Sequence, residues 1–93
     1  MDEDSLMRQI RDSLLDNPGL AETLAREGRQ RFPDSLQADA RDALLVTALI
    51  NQQEFGRARL EARYYFDHHP DGRFGDRVSF PTRVHPRPAE PRP

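Results

Sequence analysis

Residues 43–50, Ala43-Leu44-Leu45-Val46-Thr47-Ala48-Leu49-Ile50, are apolar almost without a break. A helix apolar all round has no polar side to turn to water, so it is buried on several faces. Asp34 fits its N-cap, and Gln37, three residues on, can reach back to complete a capping box. The spacing predicts a central helix over about 35–52.

On its N-terminal side the pattern gives two more helices. Leu6, Ile10 and Leu14 recur every four residues, with Met7 and Leu15 beside them, predicting a helix over about 5–15 capped by Asp4 or Ser5. Asn17-Pro18 then punctuates the chain: Asn caps well, and Pro suits the first helical position, where its missing N–H costs nothing. The next helix covers about 18–31, with Leu20 and Leu24 four apart and the small residues Ala21, Ala25 and Gly28 open to a close-packed neighbour. Phe32-Pro33 ends it, because the residue before Pro is biased away from helix.

On the C-terminal side, Phe55, Ala58, Ala62, Tyr65, Phe66 and His69 share one face of a helix over about 55–69. His69-Pro70-Asp71-Gly72 closes it, and Phe74 with Val78 suits one more short turn. Five of the eight Pro fall in residues 81–93, which have almost nothing to bury and are expected to form a polyproline-like or disordered tail.

The chain repeats itself at a spacing of 37: Ala21, Ala25, Arg26, Pro33, Asp34 and Asp39 match Ala58, Ala62, Arg63, Pro70, Asp71 and Asp76. Periods near this length, with two helices per unit, belong to arrays of α-hairpins, since one hairpin cannot bury its own apolar face and must stack. In residues 38–71 the sequence resembles the tetratricopeptide repeat family. Phe55, Ala58, Ala62, Tyr65-Phe66 and Pro70 fall where that family's second helix has an aromatic, a small residue, a large residue, apolar residues and Pro. Ala62 is smaller than the pattern, and the first helix keeps apolar Leu45 and Leu49 without the family's Trp. The resemblance implies an α-solenoid fragment with a binding role and no catalysis. The expected fold is all-α: two antiparallel helical hairpins in a domain over 1–80, then a Pro/Arg-rich tail over 81–93.

Composition narrows the function. All 14 basic residues are Arg, and against 16 acids they leave a net charge of -2. Residues 1–56 hold six Arg and eleven acids, net -5, whereas residues 57–93 hold eight Arg and five acids, net +3. That excess is small beside a nucleic-acid footprint. Zero Cys excludes a disulfide scaffold and a thiol nucleophile. Without a long apolar span or a basic leader, the expectation is a cytoplasmic protein with no membrane contact.

Asp67, His68, His69 and Asp71 form one ligand-like cluster, but adjacent His on a helix diverge by about 100°, so no metal is expected. With few Ser and Thr, no Cys, no Gly-rich phosphate loop and acids spread over helix surfaces, no cofactor and no catalysis are expected either. Pro88-Ala89-Glu90-Pro91 satisfies PxxP, a form that aromatic grooves read and that a short Pro-rich tail also meets by composition.

Leu60 and Tyr64 make a second stripe on the fourth helix, flanked by Arg57, Arg59 and Arg63. Either it stands open as an interface, which Tyr and Arg favour, or residues 72–80 fold back and cover it with Phe74, Val78 and Phe80. The function expected is a protein-interaction module, an adaptor or small chaperone, binding a peptide or helix of a partner or a second copy. The alternatives are a nucleic-acid-associated regulator using the Arg-bearing C-terminal half, and a structural subunit of a larger assembly.

Overall fold

The apolar run lies in the third of five helices of the computed structural model, which describes residues 1–88. The helices are α1 (Glu3–Ser13), α2 (Pro18–Arg31), α3 (Ala38–Asn51), α4 (Phe55–His68) and α5 (Gly75–Thr82), and the described residues contain no strand. The protein is all-α.

α3 is the helix around which the others are built. Its Leu44, Leu45, Ala48 and Leu49 pack with Leu6, Met7 and Ile10 of α1 and with Ala21 and Ala25 of α2. Its Ala43 and Val46 pack on the other side with Ala62, Tyr65 and Phe66 of α4 and with Val78 of α5. Each fully buried large aliphatic side chain is worth about 1.5–3 kcal/mol of transfer free energy, so a helix serving two clusters cannot be spared.

Each helix packs on the next, and α3 also meets α1 and α5. The Gln37 amide donates to Glu3 and Asp4 at one end of α1, while Asn51 Nδ2 donates to the Leu14 carbonyl at the other, so α1 and α3 run parallel. Gln52 reaches Pro18 and Glu22 at the start of α2, and Arg41 reaches Gly28 and Phe32 at its end, so α2 runs the opposite way.

The repeat is visible in the backbone. α2 and α4 begin and end 37 residues apart, and so do the first residues of α3 and α5. Phe32 closes α2 at φ -133°, ψ 58°, and His69 closes α4 at φ -133°, ψ 62°. Both precede Pro, whose Cδ keeps the residue before it out of the helical region. Ala21, Ala25, Ala58 and Ala62 are all buried. Side-chain volume is exchanged between the two units. In the first, Gly28 leaves room for the long Arg41: a Cβ there would stand 2.9 Å from Arg41 Cδ. In the second, the matching positions are Tyr65 and Val78, large against small, and both are fully buried.

The helix ends differ from expectation in three places. Asp2, not Asp4 or Ser5, caps α1, its carboxylate accepting Ser5 N–H at 2.8 Å. α3 begins at Ala38 rather than near 35, with no capping box: Gln37 is the capping residue, but its side chain is turned to α1. The N–H of Gln37 is taken instead by Ser35 Oγ at 2.9 Å. α5 does not stop before Pro81 but continues to Thr82, where Arg83 turns the chain at φ 61°. Pro81 and Thr82 are thus helical, where the sequence led us to expect a polyproline-like segment from 81. Val84 packs against the second cluster, and Arg87 Nε donates to Asp67 at 3.1 Å. The rest of the PxxP segment, Ala89-Glu90-Pro91, lies outside the described residues. Asn17 caps α2 as its sequence suggests, accepting Leu20 N–H at 3.2 Å.

Candidate functional site

The stripe expected on α4 divides in the structure. Leu60 stands out, 74% exposed, and Arg59 beside it is exposed and has no carboxylate partner among the described residues. Tyr64 turns the other way. Its ring lies 3.8 Å beneath the Arg29 guanidinium of α2 and stacks on His68, centroids also 3.8 Å apart. Arg57 is spent on Glu22, and Arg63 approaches Asp67 at 4.0 Å. The segment after α4 does not cover Leu60. Phe74 and Val78 join Tyr65 and Phe66 in the core, and Phe80 is 85% exposed.

What ties α2 to α4 is a chain of alternating charges. Arg57 and Arg26 both hold Glu22, Arg26 and Arg29 both hold Glu61, and Arg29 continues to Asp42. Asp42 is buried beside Arg41 at 3.1 Å, and His69 Nε2 lies 2.7 Å from its other oxygen. Burial alone would raise the Glu22 carboxyl, but hydrogen bonds from Gln52 and Arg26 and the charges of Arg57 and Arg26 outweigh it and hold that carboxyl below its ordinary value. Opposite charges alternating across a seam hold two helices in register, because a slip by one turn sets like charges together.

His68 and His69 both line a hollow of about 310 Å³ with Pro33, Asp34, Ser35 and Tyr64. His68 Nδ1 donates to the Tyr64 carbonyl and His69 Nε2 donates to Asp42. No three His, Asp or Glu side chains converge as a metal set among the described residues.

On the other side of the molecule, α1 and α5 stand on either side of α3. Arg11 of α1, with Phe74 and Arg77 at the start of α5, encloses a trough floored by Ala40, Ala43 and Leu44. Arg73 and Arg77 lie 5.6 and 5.9 Å from the Phe74 ring centroid. Arg11, Arg73 and Arg77 pair with no carboxylate among the described residues. Sequence reasoning missed this trough, since Arg11 and Arg77 are far apart in the chain and neither lies on an apolar stripe.

The sequence matches no family model, no curated protein and no solved structure. No helix among the described residues is long and apolar enough to cross a membrane.

Proposed function

We propose that this chain is a non-catalytic protein-interaction module, an adaptor or small chaperone, built as a stack of α-hairpins. It holds a peptide or helix of a partner protein in the trough over α3. The observation that carries the reading is the meeting of three helices there. α1 and α5 flank α3 and leave a floor of small and aliphatic side chains under two cationic walls. Such a floor accepts an apolar side chain of a segment laid along it, the usual way helices and peptides are bound in grooves. The 37-residue repetition of helix ends and buried Ala residues supports the stacked-hairpin part, and the resemblance to tetratricopeptide repeats agrees with it.

Ala40 is half-buried at the edge of the floor, where it packs against the first cluster, so Ala40→Arg fills the trough from its rim. Affinity capture from the native cells, run with wild type and with this variant, tests the reading. Loss of the captured partner with an unchanged melting curve is the expected result. Equal capture by both proteins refutes it.

A second docking surface is favoured by Leu60, which lies bare on α4 beside the exposed Arg59. Leu60→Asp would then release a partner that Ala40→Arg retains. Concentration-dependent sedimentation that Leu60→Asp abolishes would identify that partner as a second copy.

A further inference from the structure

We infer that the trough over α3 selects an acidic segment. Arg11 and Arg77 grip its carboxylates from opposite walls while an apolar side chain rests on Ala40, Ala43, Leu44 and Phe74. The inference rests on the trough reading above and adds the chemistry of the occupant.

Charge accounting is what carries it. The seam between α2 and α4 supplies a carboxylate to each guanidinium: Glu22 to Arg57 and Arg26, Glu61 to Arg26 and Arg29, Asp42 to Arg29 and Arg41. Arg11 and Arg77, which line the trough, pair with no carboxylate among the described residues. Asp76, next to Arg77 in sequence, lines a different hollow with Phe80 and Arg83. Asp39 lies near Arg73 but accepts its backbone N–H, at 3.3 Å. Arg11 and Arg77 are both exposed, so a carboxylate of a bound segment can reach them from solvent. Arg presents a planar fork of donors that matches a carboxylate with two parallel hydrogen bonds.

The shape favours a peptide over a nucleic acid. The enclosed part of the trough is about 40 Å³, little more than the roughly 30 Å³ that one water occupies in the liquid. That accommodates the tip of an aliphatic side chain and excludes a base. Two guanidinia beside one small apolar floor also fall short of the continuous basic track that a phosphate backbone follows.

Binding of a fluorescein-labelled peptide of alternating Glu and Leu, followed by anisotropy, tests the inference. A Lys-for-Glu peptide and an oligothymidylate of equal charge serve as competitors. The acidic peptide is expected to bind, and to weaken as salt rises from about 50 to about 300 mM. Arg11→Glu combined with Arg77→Glu should cost about tenfold or more, whereas Arg83→Glu, in the separate hollow at the end of α5, should cost nothing measurable. Failure of the acidic peptide to bind overturns the inference, as does equal binding of the Lys peptide, equal loss in Arg83→Glu, or tighter binding of oligothymidylate through the same two arginines. Ala40→Arg separates the two levels. If it abolishes peptide binding while the double reversal does not, the trough remains the site and the acidic preference falls. If neither variant matters, both fall.

Discussion

The Tyr65 hydroxyl, carried by the second half of α4, accepts the backbone N–H of Phe74 at 3.1 Å, across the turn that leads into α5. Its ring is fully buried. Gly72 is needed in that turn, because a Cβ there would stand 2.9 Å from Tyr65 Cζ and closer still to the hydroxyl. Burial pushes the phenol above its ordinary value of 10.0, and the charges of Asp39 and Asp42 add to the effect, so the acceptor is the neutral hydroxyl. Tyr65→Phe leaves the Phe74 N–H without its partner and should cost about 1–2 kcal/mol. In a domain of this size that lowers Tm by roughly 4–8 °C per kcal/mol. Amide exchange would show the loss concentrated in α5; a uniform loss would mean that the hydroxyl does not govern α5.

Asp42 is the anchor of the charged seam. It faces Arg41, Arg29 and His69 at 3.1, 3.3 and 2.7 Å, and both Asp42 and Arg41 are buried. Asp42→Ala strands the Arg41 charge and should cost about 3–5 kcal/mol in urea unfolding. Replacing both residues, Arg41→Met with Asp42→Leu, should recover much of that loss, since the stranded charge goes with its partner. A double variant no better than the single one would show that Arg41's bonds to the Gly28 and Phe32 carbonyls dominate.

Glu22 makes stability depend on acid. Its carboxyl is held below the ordinary 4.5 in the folded chain, so the unfolded chain binds the proton more readily. The stabilisation is therefore complete above about pH 4.5 and is lost as pH falls through the lower folded value. Glu22→Gln should lower stability at neutral pH and flatten its decline in the acid range. Parallel pH profiles for variant and wild type would contradict this.

Two leucines separate core from surface. Leu45 is fully buried in α3 and Leu60 is 74% exposed on α4. Leu45→Asp buries an unpaired charge and should abolish cooperative melting at neutral pH. Leu60→Asp should leave the melting curve within about 0.5 kcal/mol of wild type. Circular dichroism of both variants decides the matter.

Gln53 ends α3 in the left-handed region, at φ 60°. Its N–H donates to Ile50 O and that of Glu54 to Leu49 O, each at 2.9 Å, the pairing that usually has Gly at this position. Gln53→Gly removes a Cβ penalty of about 1 kcal/mol and should raise Tm, partly offset by the freer unfolded chain. An unchanged or lower Tm would show that the Gln side chain compensates.

Local signals in the sequence were enough for the helices and their order. Asn17-Pro18, Phe32-Pro33 and His69-Pro70 bound α2 and α4 because capping and pre-proline sterics act within a few residues. The apolar run around Leu45 placed α3 at the centre because a helix without a polar face has nowhere else to go. The buried small residues Ala21, Ala25, Ala58 and Ala62 were legible through the 37-residue repeat. Leu60 could be picked out as an exposed oddity, but Tyr64 on the same stripe could not be told apart from it. Which of the two meets water depends on Arg29, which lies in another helix.

Only the tertiary structure decided the charges. Periodicity shows that a charged side chain is off the apolar stripe, but not which other helix it meets. Whether Arg57 finds Glu22, Arg87 finds Asp67, or Arg11 and Arg77 come to line one trough depends on how the helices are set side by side. A guanidinium on a long flexible stem can reach partners in several directions. Its sequence neighbours therefore say little about its pairing, whereas the apolar stripes, which must all be buried together, left the helices little choice.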